Sequence, residues 1–468
     1  MEAGLLQNLA PFMFLGLVAF LLLGYPVAFS LAANGLLFAG IGLASGLFDF
    51  SLLSALPERV YGIVANPTLL AIPFFALMGL ILERSGMAED LLDTIGQLFG
   101  AVRGGLAYAV VLVGALLAAT TGVVAASVIA MGLISLPVML RYGYDKRLAS
   151  GVIAASGTLA QIIPPSLVLI VLADQLGASV GDMYKGALLP GLALVGLYLL
   201  YVFGVTLVKP AAAPAMPASA RTLTGSALAW RVLTTLVPPL VLIFLVLGTI
   251  FLGIATPTEG GAMGAAGALL LALVRGRLTR LQLTQAVDST TKLTTFVVFI
   301  LIGSTIFTLV FRGLNGDLWV EHLFNQLPGG VLGFLVAVNL MVFVLAFFLD
   351  FFEIAFIAVP LLAPVAHKLG IDPIWFGVML AVNMQTAFMH PPFGFALFYL
   401  KSVAPKSIRT SDIYWGAIPF LVIQLLMVAA VLAFPAIVLV DAPPDASSVT
   451  EIPIEVDPAA GYLPAEWR

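Results

Sequence analysis

The feature that most constrains this chain is a nearly continuous series of long apolar stretches, which runs from Pro11 to Val440 with only short polar breaks. A helix that crosses a bilayer needs about 20 mostly apolar residues, so the series has room for roughly ten or more. Strands of an outer-membrane barrel are shorter and alternate between polar and apolar residues, whereas these stretches are long and continuously apolar. Apolar residues make up 61% of the chain and charged residues 9%, whereas soluble domains have about 45–50% and 25%. We therefore predict an all-α polytopic membrane protein in a lipid bilayer.

The composition excludes several classes of partner and site. The 20 Lys and Arg residues are balanced by 24 Asp and Glu residues, so the chain presents no basic face for nucleic acid. It has no cysteine, which excludes disulfides, thiolate metal sites and thiol nucleophiles. No Lys or Arg occurs in residues 1–10, unlike the basic start of a signal peptide. We expect the first apolar segment to remain as a membrane helix.

The order of apolar and polar segments predicts two halves joined by a linker. The first half, 1–208, has scaffold helices within 8–82, an interfacial arm at 88–103, a helix pair at 105–140, a broken helix at 147–175 and a helix at 183–208. The Ala- and Pro-rich segment 209–229 has the composition of an extended linker. The second half, 230–440, has scaffold helices within 232–311, a helix pair at 330–367, a broken helix at 373–400 and a helix at 412–440. An acidic, Pro-rich tail follows at 441–468.

Three of the polar breaks mix charged and apolar residues at helical spacing. They lie at 52–63, 88–102 and 278–287. This spacing is typical of amphipathic helices that lie at the membrane interface. The alternative is that these segments are solvated loops.

The two halves resemble each other in sequence. Pro164-Pro165 returns as Pro391-Pro392, an offset of 227 that also relates Pro137 to Pro364. With three residues of slippage, the segment from Asp182 to Ala187 matches the segment from Asp412 to Ala417. Matches in nearly one register over this length indicate an internal duplication.

The number of crossings predicts how the copies are oriented. Each half has five spans and one helix pair, so the count per half is odd and the second half is inverted, as in many secondary transporters. Cytoplasmic loops carry the excess of Lys and Arg, and most of the 20 such residues fall on one side of this arrangement. We expect both termini outside and the linker in the cytoplasm.

Each half contains a span that its own residues interrupt. The segments are Ser156 to Ser166, with Gln161 and the helix-breaking residues Pro164 and Pro165, and Asn383 to Pro392, with His390 and the helix-breaking residues Pro391 and Pro392. Proline removes a backbone donor and disfavours helix at the preceding residue. Irregular backbone at membrane depth is tolerated only where protein or a water-filled cavity covers it, so we expect the polar residues to face inward. The alternative is a plain kink filled by packing.

The two helix pairs are candidates for the rest of a binding site. The first turns at Thr120-Thr121-Gly122 and has no charge, whereas the second turns near Asp350-Phe351-Phe352-Glu353. Ionisable residues at membrane depth are costly and are functional candidates by default. If each arm crosses the bilayer fully, however, the second turn lies in water and its two acids are only solvated.

Several motifs together resemble one family of transporters. They are Arg103-Gly104-Gly105-Leu106, Gly157-Thr158, Ile163-Pro164-Pro165-Ser166, Thr256-Pro257-Thr258-Glu259, Leu349-Asp350, Gly370-Ile371-Asp372-Pro373 and Pro391-Pro392-Phe393-Gly394. The chain from about Pro26 to Phe434 thereby resembles the large membrane subunit, of the DctM type, of tripartite ATP-independent periplasmic (TRAP) transporters.

The resemblance implies a fold and a function. The fold is an elevator-type ion transporter with two inverted repeats, each carrying a re-entrant hairpin. The function is sodium-driven import, across the bacterial inner membrane, of a small organic acid such as a 2-oxo acid, a hydroxy acid or a similar carboxylate. The implied partners are a small four-helix membrane subunit (DctQ type) and a periplasmic substrate-binding protein (DctP type). Apart from Na⁺ as coupling ion, no cofactor is implied.

The resemblance also implies site residues by position. The hairpin tips are 120–123 and 349–353, and sodium would lie between each tip and its own broken helix. The implied sodium-binding residues are Thr120, Thr121, Gly122, Gly157, Thr158, Asp350, Gln385 and Thr386. The candidate substrate-binding residues are Ser156, Gln161, Phe351, Asn383 and His390. The first tip departs from the family, because Thr121-Gly122-Val123 stands where Ser-Gly-Ser is usual.

Three other functions compete with this interpretation. An intramembrane enzyme is disfavoured, since the three histidines, His322, His367 and His390, form no zinc motif and no serine is placed with a plausible His base. A channel would not need a fused inverted duplication with one gate on each side. A stand-alone sodium/carboxylate symporter of the divalent-anion symporter type shares the hairpin plan and would work without a binding protein.

Overall fold

The computed structural model of the chain describes residues 9–439, which form helices, turns and loops with no strand among them. The predicted tail at 441–468 therefore lies outside the described residues. Helices of the first half are α1 Leu9–Leu22, α2 Val27–Ala44, α3 Ser51–Ser54, α4 Leu56–Val64, α5 Ala71–Arg84, α6 Met87–Phe99, α7 Gly105–Thr121, α8 Val124–Arg141, α9 Lys146–Thr158, α10 Leu167–Leu176 and α11 Val180–Val208. The prediction of an all-helical protein is confirmed.

The second half also consists of long and short helices. Its members are α12 Gly225–Phe251, α13 Pro257–Val274, α14 Arg280–Gly313, α15 Gly316–Asn325, α16 Gly330–Leu345, α17 Phe351–Ile357, α18 Val359–Lys368, α19 Pro373–Thr386, α20 Phe395–Val403 and α21 Thr410–Ala433. Short 3₁₀ turns stand between helices at Leu159–Gln161, Pro210–Ala212, Ala218–Ala220 and Pro435–Ile437.

Seven of the described helices are long and apolar enough to cross a bilayer, and the number rises to nine if each of two bent pairs counts as one span. The bent pairs are α5 with α6, at 61°, and α17 with α18, at 52°. Four shorter apolar helices, α1, α7, α10 and α16, complete the apolar set. The number of spans predicted from hydropathy, ten or more, exceeds this number because several apolar segments consist of two short helices and not of one long helix. The chain is a multi-pass membrane protein.

Both spans that contain a double proline are interrupted. In the first half α9 ends at Thr158, a 3₁₀ turn follows, and α10 starts only at Leu167. In the second half α19 ends at Thr386 and α20 starts at Phe395. Both Pro-Pro peptide bonds are cis. The gaps leave backbone groups of two segments outside any helix.

The N-terminal piece of each broken helix packs against the long last helix of the other half. The helix α9 packs against α21, and α19 packs against α11. The first pair is very close, because a Cβ added to Gly151 would lie 2.0 Å from the carbonyl oxygen of Gly416. A Cβ on Gly186 would lie 2.9 Å from the side chain of Ile374 at the corresponding place in the second pair. Glycine at these crossings therefore lets the halves pack closely.

Two segments differ from the sequence-based expectation. Residues 278–287 do not form a separate interfacial helix, since α14 runs without interruption from Arg280 to Gly313. A capping box between Thr279 and Gln282 starts this helix, and no proline interrupts it. The linker is also shorter than 209–229, because α12 already begins at Gly225.

The linker is bound along the first half. The amide of Gly104 donates to the Ala213 carbonyl at 2.9 Å, and the amide of Met216 donates to the Gly100 carbonyl at 2.8 Å. The amide of Asp145 donates to the Ala212 carbonyl at 2.9 Å. These bonds attach the linker to the start of α7 and to the cap of α9.

Candidate functional site

The first helix pair turns against the first break. Gly122, at the tip, has a φ of +58°, which favours glycine. A Cβ at this position would lie 3.3 Å from Leu167 Cγ and 3.6 Å from the Pro165 carbonyl oxygen. The Thr120 hydroxyl donates to the Leu117 carbonyl at 2.9 Å, and the side chain of Thr121 lies outside the described part. Tip and break are thus in contact.

The first break combines satisfied and unsatisfied polar groups. The Ser166 hydroxyl donates to the Gln161 carbonyl at 2.5 Å and so bridges the gap. The side-chain amide of Gln161 and the hydroxyl of Ser156 are buried without a hydrogen-bond partner among the described residues. Gly157 is placed tightly, since a Cβ there would lie 2.3 Å from Val128 Cγ2 on the second arm of the pair. The segment therefore presents unused polar atoms in a closely packed interior.

Asn383 belongs to an oriented chain of amides next to the second break. Its Nδ2 donates to the backbone carbonyl of Asn339 at 2.8 Å and to Asn339 Oδ1 at 3.0 Å. The Nδ2 of Asn339 in turn donates to the Leu335 carbonyl at 2.8 Å. This leaves Asn383 Oδ1 buried without a partner in the described structure. The Thr386 hydroxyl donates to the Asn383 carbonyl at 2.6 Å.

The two breaks meet through Thr158 and Gln385. The Nε2 of Gln385 donates to Thr158 Oγ1 at 3.1 Å, and both side chains are fully buried. The two positions are separated by 227 residues, which is the offset between the two double prolines. Thr158 lies in the first half and Gln385 in the second, so they can touch only where the halves face one another. This contact therefore marks the boundary between the halves.

Two further residues complete this network, and the sequence analysis missed both. The Nε2 of Gln424, on α21, donates to Thr158 Oγ1 at 3.2 Å and to the Tyr198 hydroxyl at 2.9 Å. The Tyr198 ring also packs edge-on against Phe420 at 5.2 Å. The available signal was Gln424 itself, an amide in the middle of an otherwise apolar membrane helix.

A tyrosine from the following helix contacts the backbone beyond each double proline. The Tyr414 hydroxyl donates to the Pro392 carbonyl at 3.0 Å. In the first half the Tyr184 hydroxyl donates to the Ser166 carbonyl at 3.5 Å. The two tyrosines belong to the matching segments that start at Asp182 and Asp412. Each break thus accepts a hydrogen bond from a tyrosine on a neighbouring helix.

At the second tip, Asp350 and Glu353 form a capping box. The backbone amide of Glu353 donates to Asp350 Oδ1 at 2.8 Å, and the amide of Asp350 donates to Glu353 Oε2 at 3.0 Å. Asp350 is the N-cap of α17 and is partly buried. The Phe351 ring lies 3.8 Å from that of Phe352 and 6.4 Å from that of Phe388, at the second break. Each acid therefore has a structural role in starting a helix.

His390 has an aromatic environment. Its ring lies 4.2 Å from that of Phe343 and 4.4 Å from that of Phe347, and the side chain is fully buried. Neither ring nitrogen has a hydrogen-bond partner within residues 9–439. The two phenylalanines fix the position of the ring by packing, and its nitrogens stay available.

The unpartnered buried atoms near the breaks are mostly oxygens. The oxygens are Ser156 Oγ, Gln161 Oε1, Asn383 Oδ1, Gln385 Oε1 and Gln424 Oε1, and the nitrogens are Gln161 Nε2 and the two of His390. No Lys or Arg is among the buried side chains of the described chain, and its His, Asp and Glu residues form no metal-binding cluster. A ligand here would meet neutral oxygens and amides.

An apolar groove of about 590 Å³ reaches the second tip at Leu349. It runs between α1, α15, α16 and α18, and Leu17, Trp319 and Leu345 are among its lining residues. It shares none of the polar residues of the two breaks. The breaks therefore remain the candidate site.

Comparison with known proteins agrees with this architecture. Residues 14–437 match the family model described as "Tripartite ATP-independent periplasmic transporter, DctM component". The C4-dicarboxylate TRAP transporter large permease protein DctM of Pseudomonas aeruginosa is 32% identical over 395 residues, covering 84% of this chain and 90% of the relative. The sialic acid TRAP transporter large permease protein SiaM of Vibrio cholerae is 28% identical, covering 90% and 95%.

Among solved structures, the YdaH transporter of Alcanivorax borkumensis is similar in fold. The TM-score is 0.59 at 16% identity, and the match covers 91% of this chain and 98% of that chain. The fold is thus that of a known membrane transporter.

Proposed function

The chain belongs to the family of DctM components of TRAP transporters, and from this premise we propose that it is the permease of a sodium-coupled importer for a small organic acid. The observation that carries the proposal is the match over residues 14–437 together with two interrupted helices that meet at Thr158 and Gln385. It acts as a carrier and not as an enzyme.

The substrate is a carboxylate such as a C4-dicarboxylate, a 2-oxo acid or a hydroxy acid. Similar permeases are named for C4-dicarboxylates and for sialic acid. With no buried Lys or Arg in the described residues, the carboxylate meets amide groups and the helix N-termini at Leu167 and Phe395. Helix N-termini carry partial positive charge. Ser156, Gln161, Asn383, His390 and Phe351 remain the candidate contacts.

Sodium is the coupling ion. Discontinuous helices bind Na⁺ with freed carbonyls and helix ends in several transporter folds. The first tip supports this proposal, since a Cβ built on Gly122 would lie 3.6 Å from the Pro165 carbonyl oxygen. The remaining candidates are Thr120, Thr121, Gly157, Thr158, Asp350, Gln385 and Thr386. Of these, Asp350 keeps one carboxylate oxygen that does not accept from Glu353.

The two halves form an inverted repeat that moves its broken helices and hairpins as an elevator. The reciprocal packing of α9 with α21 and of α19 with α11 supports a two-fold relation. The excess of Lys and Arg on one side supports an orientation in the inner membrane with both termini in the periplasm.

The partners are a small four-helix membrane subunit and a periplasmic substrate-binding protein. The family description itself names a tripartite transporter of which DctM is one component. The alternative of a stand-alone sodium/carboxylate symporter requires neither partner, and the family match does not favour it.

An uptake assay tests the proposal. The chain is reconstituted into proteoliposomes with the small subunit, and a panel of labelled C4-dicarboxylates, 2-oxo acids and hydroxy acids is offered with and without the binding protein. We expect uphill uptake of one acid that needs both an inward sodium gradient and the binding protein. Uptake without the binding protein would favour the stand-alone symporter. Uptake that stays the same when choline replaces sodium would refute sodium coupling.

A further inference from the structure

Gln424 is a buried amide that binds the hydroxyl where the two halves meet. It lies in the middle of α21, outside both hairpins and both broken helices, and is fully buried. Its Nε2 is 3.2 Å from Thr158 Oγ1 and 2.9 Å from the Tyr198 hydroxyl. Gln385 donates to the same Thr158 oxygen at 3.1 Å. The Thr158 hydroxyl therefore accepts hydrogen bonds from two side-chain amides.

The hydrogen bonds of Thr158 bear on how the two amides are oriented. A threonine hydroxyl has a single proton, and that of Thr158 goes to the Ala155 carbonyl at 2.8 Å. Towards Gln385 and Gln424 the hydroxyl can only accept. A flipped Gln385 amide would bring its oxygen against the Thr158 oxygen, whose single proton is already used, and such network arguments decide amide orientation. The Gln424 amide also faces the Tyr198 hydroxyl, which can donate or accept. In the structure the NH₂ groups of both amides face Thr158.

The two amide oxygens are consequently left free in the interior. Gln385 Oε1 and Gln424 Oε1 are buried and have no donor among residues 9–439. From the dimensions of an amide group, each lies within roughly 5.5 Å of Thr158 Oγ1. A buried unsatisfied acceptor is unusual in a folded protein and requires an explanation. Both of these amides are anchored to the same hydroxyl, that of Thr158.

The chemistry of the free atoms identifies what would satisfy them. A carbonyl oxygen only accepts, so its partner is a hydrogen-bond donor or a cation, and no buried Lys or Arg of the described chain can fill that role. Asn383 Oδ1, two residues before Gln385, is a third free oxygen. The set has no carboxylate, so its charge suits a monovalent ion better than a divalent one, whose sites rely on charged ligands.

We propose that Gln424, together with Gln385, donates amide oxygens to a sodium ion bound where the two halves meet, apart from the hairpin tips. The inference rests on the proposed sodium coupling. It adds a ligand from α21, a helix that the sequence analysis did not include in the site. Thr158 and Tyr198 act as positioning residues that hold the amide of Gln424.

The test measures Na⁺ alone, on the purified chain in detergent. Thermal stability is titrated with NaCl against choline chloride at constant ionic strength, and binding of ²²Na⁺ is measured in parallel. We expect Gln424→Leu, which keeps the bulk but removes the oxygen, to raise the half-saturating Na⁺ concentration at least tenfold. Tyr198→Phe, which removes only a positioning hydroxyl, should raise it less than Gln424→Leu does.

Asn34→Leu is the matched control. Asn34 is also a fully buried amide whose Oδ1 lacks a partner within the described chain, and its Nδ2 donates to the Met13 carbonyl at 2.9 Å. It lies in α2, a scaffold helix. Its half-saturating Na⁺ concentration should equal that of the wild type. If Gln424→Leu does not fold, Gln424→Met, which keeps the length of the side chain but removes its oxygen, should raise the half-saturating Na⁺ concentration by a similar factor.

The outcomes separate two failures. A wild-type chain that neither binds ²²Na⁺ nor is stabilised by NaCl over choline chloride would refute sodium coupling, and the inference with it. A wild type that responds to Na⁺ beside a Gln424→Leu variant with a half-saturating concentration within twofold would refute only the role of Gln424. A half-saturating concentration within twofold of the wild type for Gln424→Met would also refute it.

Discussion

At the scale of single residues, the site is organised by a hydroxyl that accepts twice and donates once. Thr158 receives Gln385 and Gln424 and donates to the Ala155 carbonyl. The Thr158 position follows from the first break and could be predicted. Gln424 could not, because it meets Thr158 across 266 residues and lies in a helix that carries no break. Sequence patterns report local geometry, whereas this contact depends on how the halves pack.

Replacing Thr158 by valine tests this arrangement. Valine keeps the shape of the threonine side chain but removes its hydroxyl acceptor. Two buried amides then lose a hydrogen-bond partner, which lowers the free energy of unfolding by about 1–3 kcal/mol for each. Since Gln424 retains the Tyr198 hydroxyl, we expect a total loss of about 2–4 kcal/mol. Thermal unfolding in detergent measures the loss, and Thr158→Ser should restore most of it.

The control for Thr158→Val is Thr206→Val. The Thr206 hydroxyl donates to the Phe203 carbonyl at 2.7 Å and receives no amide in the described structure. Thr206→Val should lower the free energy of unfolding by less than about 1.5 kcal/mol. Equal losses at the two positions would contradict the special role of Thr158.

At the scale of elements, the prolines predict the interruptions but not the contacts that support them. Pro164-Pro165 and Pro391-Pro392 mark both gaps in advance, because proline cannot continue a helix. The tyrosines that donate to the Ser166 and Pro392 carbonyls lie on the following helices, and nothing in the break itself indicates them. The continuous helix α14 was missed for a different reason, since charged residues at its start resemble an interfacial segment although the backbone has no breaker.

Gly122→Ala tests whether the first tip works through its contact with the break. Gly122 and Gly276 both have positive φ, +58° and +64°, so alanine costs roughly 1–2 kcal/mol at either position. A Cβ on Gly276 has no atom within 4 Å, whereas one on Gly122 reaches Leu167 and the Pro165 carbonyl. We expect both variants to lose similar stability, but only Gly122→Ala to weaken Na⁺ binding. Equal Na⁺ affinity in the two variants would argue against a tip site.

At the scale of the whole molecule, the duplication predicts the broad arrangement and the glycines make it possible. The offset of 227 residues was visible in the prolines, and the structure brings positions 158 and 385 into contact. The close approach of Gly151 to Gly416 was not predictable, because a small residue in a helix has no partner until the packing is known. The relative orientation of the halves in the bilayer is a matter of topology, which labelling from each side of the membrane can decide.

The absence of cysteine from the chain makes this orientation directly measurable. In an inverted repeat, equivalent loops after the two broken helices open on opposite sides of the membrane. Ser179 and Ser407 stand in these loops and Ser219 in the linker, and all three are exposed. We expect Ser179→Cys to react with a membrane-impermeant maleimide from the periplasmic side of intact spheroplasts. Ser407→Cys and Ser219→Cys should react only after the membrane is opened.

The native chain has no thiol and should give no signal. Labelling of Ser179→Cys and Ser407→Cys from the same side would mean that the repeats are parallel, and the proposed alternating access between inverted halves would be wrong.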